Sequence, residues 1–256
     1  MTITAVRQKT GVMDFHARLP GRPGAPGRLL AAMDEHGIDR AIVTSAGVID
    51  PDLISRQVIC GGHVEADADN GALLAPCEES AGRLVPFFFG NPHREPEDYG
   101  SQAARFRGLE ISPAVHGVGL TDPRTLGLVA IAAEFGHPVY VVCLGRGGVG
   151  VTDLAELARI FPAVTFVLGH CGFVGIDLYA LNVAAPQHNI VAETSGCYTG
   201  VAAAAVERLG ADRVLFGTDY PMQHPSVELA KLHALGLAAG TRDKITWHNA
   251  HRLIGE

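Results

Sequence analysis

The stretch Val214-Leu215-Phe216-Gly217-Thr218-Asp219 contains the pattern that decides the fold, a short apolar run followed at once by a polar, chemically capable residue. Similar runs recur along the chain and alternate with alanine- and leucine-rich stretches of helical period. This alternation is typical of βα units around a parallel sheet. We predict strands at residues 12–15, 41–45, 84–89, 108–112, 139–144, 165–169, 190–194 and 214–217. Eight strands favour an α/β fold that closes into a (β/α)8 barrel of the TIM type.

Length and composition agree with one globular domain. The chain has 256 residues, of which 47% are hydrophobic and 18% charged, so it has enough apolar residues for a large core. Barrels of about 250 residues commonly form one domain. We therefore predict a single domain over residues 1–256, with the long segment 46–82 as an active-site loop and helix within it. A doubly wound open sheet is the alternative, but its usual glycine-rich first βα turn is missing here.

Charge and hydropathy exclude several classes of protein. The net charge is -7 and the basic residues form no stripe or tail, which argues against a nucleic-acid partner. The longest apolar runs are far shorter than the roughly 20 residues that cross a bilayer. Residues 1–11 lack the apolar run of a secretory signal. Five cysteines without tight spacing suit free thiols in a reducing compartment, so we predict a cytoplasmic protein.

Uncommon polar residues follow the predicted strands at their C-terminal ends. In a (β/α) barrel these ends form the face on which active sites are built. Asp219 in particular would be costly to bury without a cation, a metal or several N–H donors. We therefore predict an active site at this face. Its candidate residues, in strand order, are Asp14 and His16, Glu110 and Ser112, His170 and Cys171, then Thr194, Ser195 and Cys197, and finally Asp219.

The segments that carry these residues resemble the amidohydrolase superfamily, in the branch that includes aminocarboxymuconate-semialdehyde and resorcylate decarboxylases. The similar segments, in order, are residues 12–16, 33–42, 82–83, 108–113, 161–162, 168–172, 217–221 and 249–250. The resemblance implies a divalent metal held by an HxH pair after strand one, a His after strand five and an Asp after strand eight. It also implies that the His after strand six is a further ligand or a substrate contact.

This chain departs from that pattern at two ligand positions. His16 matches the first histidine of the pair, but the second position is Arg18, which has no lone pair to give to a metal. After strand five, Val142 stands where the family has its His. Cys143 lies one residue beyond and would point to the opposite side of the strand unless a bulge restores it.

Glu110 leaves two hypotheses open. It stands where many relatives carry lysine, and a glutamate there could complete a zinc or manganese site with His16, His170 and Asp219. Alternatively, Glu110 pairs with Arg18 across the barrel and neutralises it without any metal. Metal-free catalysis is the alternative for the whole site, since the superfamily includes lactonases that look like relatives lacking a required divalent ion.

The resulting functional prediction is an enzyme that hydrolyses or decarboxylates a small carbonyl or carboxylate compound. Asp219 would be the general base and His170 would polarise the carbonyl or shuttle a proton. Arg18 would bind an anionic group of the substrate, with Ser112 and Cys171 as further substrate contacts. The alternatives are a metal-free lyase, cyclase or hydratase, and a non-catalytic barrel that binds a ligand. By analogy with the same branch, we expect a homo-oligomer.

Overall fold

The computed structural model describes residues 11–256 except Gly47, Ile49 and Val174. The expectation that the chain starts without a secretory signal falls almost wholly on residues 1–10, which lie outside the described residues. No helix in the described part of the chain is long and apolar enough to cross a membrane.

The strands are short, parallel and ordered as in the sequence. They are β1 (Met13–Pro20), β2 (Arg40–Ala46), β3 (Leu84–Pro86), β4 (Phe88–Gly90), β5 (Leu109–Ile111), β6 (Val139–Val141), β7 (Phe166–Leu168), β8 (Ile190–Glu193) and β9 (Val214–Leu215). One sheet has the order β1-β2-β3, and a second runs from β4 to β9. Each of the eight predicted strands overlaps this set, with β3 and β4 together corresponding to one of them.

Backbone hydrogen bonds join the two sheets at both seams. At the first seam, the N–H of Phe87 donates to the Val43 carbonyl at 2.9 Å, so the chain between β3 and β4 stays attached to β2. At the second, the N–H of Phe15 donates to the Phe216 carbonyl at 2.8 Å, and the N–H of Asp219 donates to the His16 carbonyl at 2.7 Å. The first strand thus lies beside the last, as the predicted barrel requires.

Helices connect successive strands except β3 and β4, and several helices begin with proline in the first turn, where its missing N–H costs nothing. They are α1 (Ala25–His36), α2 (Pro51–Cys60), α3 (Leu74–Glu79), α4 (Pro96–Gly100), α5 (Pro113–His116), α6 (Pro123–Glu134), α7 (Val151–Ile160), α8 (Leu178–Ala184), α9 (Thr199–Leu209), α10 (Pro225–Ala234), α11 (Ala239–Asp243) and α12 (Asn249–Leu253). A π-helical turn, Lys244–His248, joins α11 to α12. Helix α1 ends at Gly37, whose positive φ of 67° suits a residue without Cβ.

Alternation along the strands divides the core into two layers. Side chains on one face of the strands fill the barrel, among them Met13, Phe87 and Tyr140. Side chains on the other face, such as Val139 and Val141, pack outward against the helices. Because successive strand residues point to opposite faces, this division decides which residues can reach the site at the mouth of the barrel.

The predicted insertion, residues 46–82, contains α2, a 3₁₀ turn (Gly71–Leu73) and α3. Helix α2 packs against α5, where the buried amide of Gln57 donates to the carbonyls of Ala114 at 2.8 Å and Val115 at 3.2 Å. Since α5 follows β5 directly, α2 lies over the C-terminal end of the barrel. Its role as an active-site segment stays a prediction.

Candidate active site

An irregularity in β1 turns the first site residues into the barrel. Asp14 is paired with Ala41 and Ala17 with Val43, so three residue steps on β1 match two on β2. Phe15 consequently belongs to the inner layer, whereas Ala17 belongs to the outer one. This bulge reverses the alternation and directs His16 and Arg18 inward.

Asp14 holds the bulge in place. Its carboxylate accepts hydrogen bonds from the N–H of His16 at 3.0 Å, from the N–H of Thr218 at 2.9 Å and from the Thr218 hydroxyl. Burial raises the pKa of Asp14 to about 7, although the hydrogen bonds from Thr218 and His16 act to lower it. Asp14 therefore ties β1 to the segment that carries Asp219.

Three predicted residues, from β1 and from the segments that follow β7 and β9, meet at the mouth of the barrel. One possible ligand atom from each of His16, His170 and Asp219 lies within 4.8 Å of the others. His16 Nδ1 is 3.4 Å from Asp219 Oδ1, and the His16 and His170 ring centroids are 5.5 Å apart. Both ring nitrogens of His16 are buried and have no hydrogen-bond partner within the described chain. The sequence prediction of their convergence therefore agrees with the geometry.

Two of these three residues, His170 and Asp219, have a strained backbone conformation. His170, in the 3₁₀ turn Gly169–Cys171, has a φ of 58°, and Asp219 has a φ of 52°. Left-handed backbone at a residue with a Cβ costs of order 1–3 kcal/mol and is concentrated at functional sites. The surrounding backbone hydrogen bonds, such as that from the Asp219 N–H to the His16 carbonyl, hold these side chains at the mouth.

Arg18 lies between two carboxylates. Its Nη2 donates to Glu110 Oε1 at 2.8 Å and its Nε to Asp219 Oδ1 at 3.3 Å. Burial acts to raise the pKa of the fully buried Glu110, but the charges of Arg18 and His16 outweigh it and lower that pKa to about 2. Of the two hypotheses about Glu110, the ion pair with Arg18 is the one that the contacts favour.

His16 is surrounded by charges of both signs. Burial and the Arg18 charge lower the pKa of His16, whereas the Glu110 and Asp219 carboxylates raise it. The carboxylates prevail, so the pKa of His16 lies above its ordinary value. His16 Nε2 is 3.4 Å from Glu110 Oε2.

The remaining predicted residues do not all join this cluster. Ser112 is buried just before α5. Cys171 and Cys143 are both buried in the outer layer, away from the barrel interior, whereas Val142 packs against the inner layer. No bulge restores Cys143 to the position of a ligand. Burial raises the pKa of the Cys143 thiol, and a hydrogen bond with Cys197 together with burial raises that of Cys171, which keeps both protonated.

Sequence reasoning missed two residues beside the cluster, Glu193 and Tyr140. Glu193, fully buried at the end of β8, accepts hydrogen bonds from the Tyr140 hydroxyl and the Ser195 hydroxyl, both at 2.8 Å. Tyr140 stacks on His16 with a centroid separation of 4.2 Å and an interplanar angle of 9°. An acidic residue that ends the apolar run 190–193 was the available signal for Glu193, the same signal that marked Asp219.

Comparison with known proteins establishes the family. The amidohydrolase family model matches residues 13–255, so the chain belongs to the amidohydrolase family. This confirms the resemblance that the sequence motifs indicated. No curated protein sequence matches the chain significantly.

Solved structures confirm the barrel fold. Similar structures include 5-carboxyvanillate decarboxylase from Novosphingobium aromaticivorans, in complex with manganese and 4-hydroxy-3-methoxy-5-nitrobenzoic acid (17% identity, 98% of this chain and 97% of that chain, TM-score 0.71). Another is 2,6-dihydroxybenzoate decarboxylase from Rhizobium (17%, 96% and 99%, TM-score 0.70). A third is a predicted 2-pyrone-4,6-dicarboxylic acid hydrolase from Pseudomonas putida (17%, 97% and 98%, TM-score 0.73). At such identities the likeness is one of fold.

Proposed function

We propose that the protein is an enzyme that hydrolyses or decarboxylates a small carbonyl or carboxylate compound at the C-terminal face of the barrel. The observation that carries the proposal is the meeting of His16, His170 and Asp219, from three segments distant in sequence, with ligand atoms within 4.8 Å of one another. The structural relatives that act on small carboxylates, two decarboxylases and a predicted hydrolase, support the same class of substrate.

The three residues fit a divalent metal such as zinc or manganese. They supply two imidazoles and a carboxylate, a donor set that both ions accept. The buried ring nitrogens of His16, without a hydrogen-bond partner in the described chain, would be satisfied by such an ion. A bound metal would supply Lewis-acid polarisation of a substrate carbonyl or carboxylate oxygen. The manganese complex of the 5-carboxyvanillate decarboxylase supports this assignment.

The exposed fraction of each side chain indicates which residues can contact the substrate. Asp219 and His170 have 20% and 23% of their side chains exposed, so substrate can reach them from the mouth, whereas His16 is buried. Asp219 would take or deliver the proton of the reaction, and His170 would stabilise the polarised oxygen or shuttle a proton. Arg18 donates from Nε to Asp219 and from Nη2 to Glu110, which leaves Nη1 to bind a substrate carboxylate.

Apolar side chains lie at one side of the mouth, near the ends of β5, β6 and β7. Ala114, Leu144 and Val149 form a small cluster, and Val142, which also packs on the barrel interior, connects this cluster to the core. The α2 residues Ile54 and Val58 and the loop residue Phe173 complete it. Such a wall would pack against the carbon skeleton of a substrate and exclude water from the charged groups beneath it.

A second candidate is a metal-free lyase, cyclase or hydratase. The observation that favours it is the guanidinium of Arg18, whose Nε lies 3.3 Å from Asp219 Oδ1 and so places a positive charge beside a proposed metal ligand. In this metal-free mechanism Arg18 stabilises the negative charge that develops on the substrate, and Asp219 and His170 still act as the acid–base pair.

Turnover of a panel of small carboxylates tests the proposal. The panel contains ortho-hydroxylated aromatic acids, assayed for CO₂ release, and lactones that carry carboxylates, assayed for ring opening. We expect turnover of at least one class, increased by added Mn²⁺ or Zn²⁺ and abolished by a chelator. Turnover that is insensitive to chelator would favour the metal-free candidate. Binding of panel members without any turnover would reject the enzyme and favour a ligand-binding barrel.

A further inference from the structure

We infer that Glu193 is a positioning residue that sets both imidazoles of the site, the tautomer of His170 through Ser195 and the ring plane of His16 through Tyr140. Glu193 has no exposed surface, and the only hydrogen bond by which its carboxylate contacts the three-residue cluster in the described chain is the one it accepts from the backbone N–H of His170. What His16 and His170 then do rests on the proposed function.

The contacts of His170 define which ring nitrogen bears the proton. Its Nδ1 lies 3.3 Å from the Ser195 carbonyl oxygen and 3.0 Å from the Ser195 hydroxyl. A carbonyl can only accept, so Nδ1 must be the donor. The single hydroxyl proton of Ser195 is given to Glu193 Oε2 at 2.8 Å, which leaves the hydroxyl oxygen to accept from Nδ1. In the neutral imidazole of His170 the lone pair is therefore on Nε2, the nitrogen available to a metal or a substrate proton.

Glu193 also positions His16, through the side chain of Tyr140. The Tyr140 hydroxyl donates to Glu193 Oε2 at 2.8 Å, and the Tyr140 ring lies 4.2 Å from that of His16 and almost parallel to it. Burial and the neighbouring Glu193 charge raise the pKa of Tyr140 well above its ordinary value, so the phenol stays a donor. The Tyr140 ring is thus fixed at one end and presents a flat surface to His16.

Only a carboxylate satisfies this arrangement. Glu193 also accepts from two backbone groups, the N–H of His170 at 3.3 Å and the N–H of Ser195. These four donors are divided between both carboxylate oxygens. An amide has one acceptor oxygen and two N–H groups. In Glu193→Gln the amide N–H group would therefore face at least one of these four donors, and that donor would lose its hydrogen bond.

The chain offers a matched control in Glu228. It is also a buried glutamate (1% exposed), and its Oε1 accepts from the N–H of Gly196 at 3.1 Å, in the same loop as Ser195. Glu228 pairs with Lys231 and does not contact the His170 or Tyr140 side chains in the hydrogen bonds of the described chain. The variant Glu228→Gln therefore measures how far the loss of a buried carboxylate beside this loop alone changes the His170 tautomer.

The test measures the His170 tautomer and metal affinity in metal-free and titrated protein. Ring ¹⁵N chemical shifts should show the Nδ1–H form of His170 in the wild type and a larger Nε2–H fraction in Glu193→Gln and Ser195→Ala. The Ser195 hydroxyl no longer has to accept from Nδ1 in the first variant and is absent from the second, so only the longer contact to the Ser195 carbonyl, at 3.3 Å, still requires Nδ1 to donate. The affinity for Zn²⁺ alone should fall by about 10- to 100-fold in Glu193→Gln, as is usual when a supporting hydrogen bond of a metal-binding histidine is removed. On any substrate found, kcat should fall with KM nearly unchanged. Glu228→Gln should keep the wild-type tautomer.

Ser195→Ala keeps the test decisive if Glu193→Gln fails to fold, because it preserves the buried charge. An unchanged tautomer in both variants, or an equal change in Glu228→Gln, would overturn the inference. If the tautomer depends on Glu193 but the protein binds no metal and turns over no substrate, the proposed function fails and the positioning role stands.

Discussion

Asp219→Asn is expected to reduce kcat/KM by about a thousandfold or more, because it removes both a positioned proton-transfer group, whose usual contribution is about this size, and a ligand of the proposed metal. The substitution keeps the size of the side chain but removes the anionic oxygen that lies 3.4 Å from His16 and 3.3 Å from Arg18. Because the Asp219 side chain is 20% exposed and Glu110 remains to pair with Arg18, the free energy of unfolding should change by less than about 1 kcal/mol. Steady-state kinetics and urea unfolding measure the two effects.

Asp34→Asn is the matched control for this substitution. Asp34 also pairs with an arginine, Arg83, at 2.7 Å, but it lies on α1 at the outer surface with 66% of its side chain exposed. Its amide variant should keep full activity and near-native stability. An Asp219→Asn enzyme that retains most of its activity would contradict the assignment of Asp219 as the proton-transfer residue.

Breaking the Arg18–Glu110 ion pair should produce the largest loss of stability. Arg18→Met would leave the fully buried Glu110 charge without its partner, at a cost of about 3 kcal/mol. The double variant Arg18→Met/Glu110→Gln should recover much of this loss, because no uncompensated charge remains. Urea unfolding of the wild type, both single variants and the double variant gives the coupling energy, for which we expect about 2 kcal/mol.

This coupling should depend on pH in a defined direction. The pKa of Glu110 is lowered from 4.5 to about 2, so the unfolded chain takes up the proton first as the pH falls. The stabilisation is therefore complete above 4.5 and is lost as the pH falls towards 2. The exposed pair Arg94–Asp67, at 2.9 Å, is the control and should show a coupling below about 1 kcal/mol. A coupling for Arg18–Glu110 as small as this control would show that the pair does not hold the site together.

The fold was predictable from the sequence because its signals are local. Short apolar runs such as 166–168 and 190–193 are buried on both faces in a parallel barrel, and they alternate regularly with helices. Polar residues at the ends of these runs, His170 and Asp219 above all, marked the face on which the site lies.

The internal geometry of the site was less predictable because it depends on contacts between distant segments. The bulge at β1 rests on the hydrogen bonds between Asp14 and Thr218, 204 positions apart. The choice between the two roles of Glu110 required its distance from Arg18, which strand alternation alone cannot give when a bulge intervenes. Glu193 was missed because its partners come from distant segments, Tyr140 from β6 and His170 from the turn after β7.

The metal content of protein purified without chelator tests the central claim most directly. Elemental analysis should find about one zinc or manganese ion per chain, the stoichiometry of a site with three protein ligands. The ion should be lost in His16→Asn and in Asp219→Asn, and retained in Asp34→Asn. A wild-type protein that binds neither ion, even after incubation with added Mn²⁺ or Zn²⁺, would contradict the assignment of His16, His170 and Asp219 as a metal centre.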